Sequence, residues 1–180
     1  MIRNSWQWIA SVLVVCYGLM SCNAFHGDTS RRFDNFNKSI AIGNWIYELH
    51  VENQNEKTGA VPVPATHFYL KATLSIGNSK TKKSLLYSAS KDAEDYEAKY
   101  KYLAFNSSQD LHIKYNDEII RPIGYVFEPS NGLSTSERLV YKFMLRKEQY
   151  EAMKKNRKHI AYWYTDHLIG LGKICFNVNN

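Results

Sequence analysis

A strict alternation of apolar and polar residues in two long segments limits the folds open to this chain more than any other feature. In residues 67–76, Phe68, Leu70, Ala72, Leu74 and Ile76 fall at every second position. In residues 138–146, Leu139, Tyr141, Phe143 and Leu145 alternate with Arg138, Val140, Lys142, Met144 and Arg146. Successive side chains of an extended chain point to opposite sides, so each segment predicts a strand with one buried and one wet face. Residues 40–51 carry a similar pattern through Trp45, Tyr47 and Leu49, and Leu111, Ile113 and Tyr115 alternate with His112, Lys114 and Asn116. Gly77-Asn78 and Asn106-Ser107-Ser108-Gln109-Asp110 read as turns. Asn116-Asp117-Glu118 reads as a third, leading into an apolar run over 119–127 that serves as the return arm of a hairpin.

Leu85-Leu86-Tyr87 reads as a short strand ending before Ser90, a candidate helix cap. Asp92, Glu94 and Asp95 sit where the amino end of a helix favours negative charge, and Tyr96, Tyr100 and Leu103 fall near one face, predicting a helix over 91–102. Residues 100–105 also suit a strand, because Tyr100, Tyr102 and Ala104 alternate with Lys101, Leu103 and Phe105. Val61-Pro62-Val63-Pro64 lacks two backbone donors and suits an edge or connector. Residues 147–158 are charged and helix-compatible, and 169–178 supply a terminal strand with glycines at its start. With no regular alternation of strands and helices, the expected fold is mainly β: an antiparallel β-sandwich or open barrel with one or two short helices.

The first 21 residues differ from the rest: Arg3 is their only charge, and an apolar core runs from Ile9 to Met20. That outline is a secretory signal, too short for the roughly 20 residues of a membrane-spanning helix. It ends in Leu19-Met20-Ser21-Cys22, which resembles the lipobox of bacterial lipoproteins: an apolar residue three before the cysteine, a small one just before it, and the cysteine itself. The resemblance implies cleavage before Cys22, diacylglycerol on its sulfur, and anchoring to membrane lipid in the cell envelope at the outer membrane. The expected organisation is a signal peptide over 1–21, a polar tether over 22–39 and a single β-rich domain over 40–180. That order of parts is similar to uncharacterised envelope lipoproteins of the Bacteroidetes type. Cys16 leaves with the leader and Cys22 is acylated, so Cys175 stands without a disulfide partner; among Ile174, Phe176 and Val178 it reads as a buried, inert thiol.

After the leader, 159 residues carry 22 basic and 17 acidic side chains, a net charge of +5. The segment 137–158 holds that whole excess, with eight basic residues against three acidic ones. Arg146, Lys147, Lys154, Lys155, Arg157 and Lys158 are candidate contacts for anionic headgroups, an acidic envelope protein or a charged polymer. The same charges suit a solvated strand face and helix rim. Tyr162, Trp163 and Tyr164 add rigid aromatic area that could stack on sugars or centre an interface, and that core packing would equally use. Export leaves nucleic acid a poor partner. His67, His112, His159 and His167 are scattered, no Cys-x-x-Cys or His-x-x-x-His pair occurs, and the glycines are too sparse for a phosphate loop, so no metal or cofactor is expected. The expected function is a membrane-anchored, non-catalytic binding or assembly lipoprotein. The alternative is a lipid-anchored hydrolase acting on an envelope or glycan substrate, which requires histidines or carboxylates such as Glu48, Glu52, Glu118 and Glu128 to converge in space.

Overall fold

The computed structural model describes residues 32–55, 66–131 and 133–178. The leader, Cys22, the tether as far as residue 31 and the Val61 to Pro64 connector lie outside the described residues. Phe36–Ile42 (β1) and Trp45–Asn53 (β2) form a hairpin that turns at Gly43, where a φ of 61° suits a residue without Cβ. His67–Asn78 (β3) pairs with β2, and the two segments of strict alternation then meet: Ser136–Arg146 (β7) lies antiparallel against β3. Gly124–Glu128 (β6) closes the far edge, giving the order β1-β2-β3-β7-β6. The second sheet has the order β5-β4-β8-β9, from Leu111–Tyr115 (β4), Glu118–Ile120 (β5), Ile160–Asp166 (β8) and Gly172–Asn177 (β9). All pairings are antiparallel, and the sheets stay separate as an open sandwich.

The alternating apolar positions of both sheets meet in the middle. Tyr47, Leu49 and Val51 of β2, Leu70, Ala72, Leu74 and Ile76 of β3, and Leu139, Tyr141, Phe143 and Leu145 of β7 are all fully buried. Leu111, Ile113, Tyr162, Tyr164, Ile174 and Phe176 close on them from the other sheet. Tilted ring pairs Phe36–Tyr162 at 5.4 Å and Tyr47–Tyr164 at 6.1 Å join the layers. Leu85–Ala89 (α1) and Ala93–Phe105 (α2) cover the β3, β7 and β6 side, and Lys147–Lys155 (α3) packs on β7 and β3 through a Phe68–Tyr150 stack at 3.9 Å. No helix among the described residues is long and apolar enough to cross a membrane.

Four expectations change. Leu85 and Leu86 are both buried, which two neighbours in a strand cannot be against one core but two neighbours on a helix can, so this segment is helical. Asp92, not Ser90, caps α2, its side chain accepting from the Asp95 amide at 2.8 Å, and the helix runs through 100–105. The run 119–127 is no single arm: Pro122 cannot donate to a ladder, and around it the chain leaves β5 in one sheet and enters β6 in the other. The folded body also starts inside the expected tether, since Phe33 and Phe36 are buried and β1 opens at Phe36.

Candidate functional site

The outward face of the five-stranded sheet carries a groove of about 570 Å³ lined by Gln54, Asn55, Tyr69, Lys71, Gly124, Tyr125, Val126, Val140 and Lys142. Register explains its composition. Lys71 lies directly opposite Lys142, and Lys142 opposite Gly124, so one row across three strands reads lysine, lysine, glycine. On the next outward-facing positions Val140 lies opposite Val126, which is 57% exposed. Gly124 leaves the space beside Lys142 open, and a Cβ built there would meet only the Lys142 Cβ at an ordinary 3.6 Å.

The two lysines are held differently. Lys71 reaches Glu52 at 3.3 Å, and Glu52 also accepts from the Gln54 amide at 3.1 Å. The Lys142 ammonium sits 4.7 Å from the centre of the Tyr69 ring and makes no ion pair among the described residues. Like charges directly opposite on a sheet cost roughly 0.2–1 kcal/mol, while an exposed cation–π contact returns about 0.5–1 kcal/mol, so the fold alone gains almost nothing from Lys142. Asn55 shapes the rim: its side chain accepts from the Tyr69 amide at 2.7 Å and donates to the His67 carbonyl at 3.1 Å. Tyr125 turns its ring onto Tyr141 at 4.9 Å and donates its hydroxyl to the Leu103 carbonyl at 2.6 Å; burial pushes this phenol up to about 12.

The residues singled out from the sequence scatter. Arg146 caps α3 beside Gln149, Lys147 opens that helix, and Lys154 and Lys155 end it, where positive charge favours the helix dipole. Arg157 and Lys158 follow in a 3-10 turn, Arg157 donating to the Lys154 carbonyl at 3.3 Å. Tyr162 and Tyr164 are core residues, because inward positions of β8 face the other sheet; they present no binding surface. Trp163 alone of that trio faces outward, paired in register with His112 and Cys175. Cys175 is therefore half-buried and not enclosed; burial raises its thiol, which donates to Asn177 at 3.3 Å. Glu128 pairs with Arg138 at 3.3 Å, Glu118 holds the Gln149 amide, and Glu48 and Glu52 lie four residues apart on β2.

Among the described residues, three buried aspartates are polar sites that the sequence did not announce. Asp34 accepts from Tyr150 at 2.6 Å, Asn53 at 2.8 Å and Arg32 at 3.0 Å; burial alone would raise its carboxyl, and these bonds outweigh burial and lower it. Asp166 takes the Tyr47 hydroxyl at 3.0 Å and the amides of Leu168, Ile169 and Leu171. Asp110 accepts from Ser107 at 2.6 Å and Tyr102 at 2.8 Å, with the His167 imidazole 3.7 Å away; burial raises this carboxyl despite those donors. Ser107 thus spends its proton on a carboxylate, and the arrangement fastens the sheets together. Among the described residues no group of three or more His, Cys, Asp or Glu is placed to hold a metal ion. No family model matches the chain, and no curated protein or solved structure matches it.

Proposed function

We propose that this chain is a lipid-anchored, non-catalytic binding protein of a bacterial envelope, tethered through Cys22 and taking its ligand on the outward face of the five-stranded sheet. The observation that carries the binding half is the groove: apolar walls beside two cross-strand lysines, one of them without a carboxylate partner among the described residues. Its volume lies in the range of small-molecule sites, roughly 300–1,000 Å³. The anchoring half rests on Leu19-Met20-Ser21-Cys22. Exposed Lys154, Lys155 and Lys158 add positive charge suited to anionic headgroups or an acidic envelope partner.

The full chain, produced in a bacterial host, tests both halves. Mass spectrometry of its first peptide should find an acylated Cys22, and Cys22→Ser should release the protein from the membrane fraction. Native mass spectrometry after exposure to a small-molecule extract of envelopes should find a bound mass that Gly124→Leu removes while circular dichroism stays unchanged. An unmodified first peptide refutes the anchor; a bound mass indifferent to Gly124, or none, refutes the groove.

A further inference from the structure

We infer that the groove takes a small amphiphilic anion, its acid group held by Lys142 and Lys71 and its aliphatic body lying along Val126, Val140 and the notch left by Gly124. This rests on the groove being the ligand surface and names the chemistry that it selects. Charge favours an acid. Lys71 and Lys142 stand directly opposite each other, Glu52 reaches only the Lys71 side of the row, and Gly124 on the other side brings no side chain. An acid group between the ammoniums would turn a repulsive row into an attractive one.

The lining favours an aliphatic body. Lys142 already covers the Tyr69 ring, and Tyr125 turns its own ring and hydroxyl toward Tyr141 and Leu103, which leaves aliphatic surface for the rest of the ligand. A fully polar anion would leave Val126 and Val140 unmatched, and a neutral hydrocarbon would leave the lysines repelling each other. A ligand body lying along Val126 and Val140 would also cover the ion pair from one side, and partial removal of water strengthens the attraction. A carboxylate on an alkyl chain and a phosphate monoester on an alkyl chain share this chemistry.

Titration calorimetry on the full chain carrying Cys22→Ser decides the matter with octanoate, octyl phosphate and octanamide as probes. At least one of the two acids is expected to bind ten-fold or more tightly than octanamide, and the tighter acid identifies the headgroup. Lys142→Gln should abolish that preference, Lys142→Arg should keep it, and Gly124→Leu should weaken all three probes. Octanamide binding as well as both acids, or a preference that survives Lys142→Gln, overturns the proposal. Should none of the probes bind while capture from envelope extract still depends on Gly124, the groove stands as a ligand surface and this ligand class is wrong.

Discussion

The interior beneath the five-stranded sheet and the outward face of that sheet hold their polar groups differently. Inside, Tyr47 donates to Asp166, Tyr150 to Asp34, and Tyr162 to the Phe33 carbonyl at 3.1 Å, so these buried hydroxyls are answered by the protein. Outside, Lys71 and Arg138 pair with Glu52 and Glu128, but Lys142 faces another lysine and, among the described residues, has only a ring beneath it. A buried polar group without a partner costs stability, so the interior networks report on folding. A sheet-face cation placed against a like charge contributes little to folding, and so points to something the sheet meets.

The contrast implies a graded set of effects. Asp34→Ala should cost the most, about 3 kcal/mol by urea denaturation, because it removes the buried acceptor that the Tyr150 hydroxyl and the Asn53 side-chain amide share; a loss under about 1 kcal/mol would mean that the network is incidental. Tyr47→Phe should cost about 1–2 kcal/mol, since Asp166 keeps its three loop amides. If the variant is as stable as the parent, the tie between β2 and β8 contributes nothing.

Acidity should distinguish the aspartates. The Asp34 carboxyl is lowered in the folded chain, so its stabilisation is present above the unfolded value near ~4 and is lost as pH falls through the folded value. Asp110 is raised and has the opposite sign: its contribution declines as pH climbs from the ordinary carboxylate range to its folded value. Asp34→Asn should therefore flatten the acid side of the stability curve below about pH 4, and an unchanged slope there would contradict the assignment. The smallest effect belongs to the outer face. Lys142→Gln should alter stability by no more than about 0.5 kcal/mol, lost cation–π attraction and relieved repulsion nearly cancelling. A loss of 2 kcal/mol or more would make Lys142 a structural residue.

Much of the architecture was readable along the chain. The alternations through Leu70 to Ile76 and Leu139 to Leu145 give strands, buried faces and a mainly β fold, because a period of two is a local property. The helix behind Asp92 was equally local, written in its acidic first turn. Two adjacent leucines misled, since Leu85-Leu86 fits a strand by propensity and a helix by burial. The groove could not be read. Lys71 and Lys142 are each ordinary polar positions of an alternating strand, and what makes them a pair is the neighbourhood of β3 and β7, segments separated by two helices and half of another sheet. The basic excess over 137–158 includes Lys142, but the candidates drawn from it were its densest part, which went to the start and end of a helix. The aromatic trio failed for a simpler reason: consecutive strand residues cannot share a face, so only Trp163 could look outward.

Valine methyl resonances distinguish the two faces directly, because Val126 and Val140 line the groove while Val51 and Val178 lie in the interior. Titrating octanoate and then octyl phosphate into methyl-labelled full chain carrying Cys22→Ser is expected to shift the Val126 and Val140 signals and leave Val51 and Val178 in place. Saturating probe that moves the interior pair, or leaves Val126 and Val140 where they were, would show that the outward lysines do not mark the place where this protein meets its ligand.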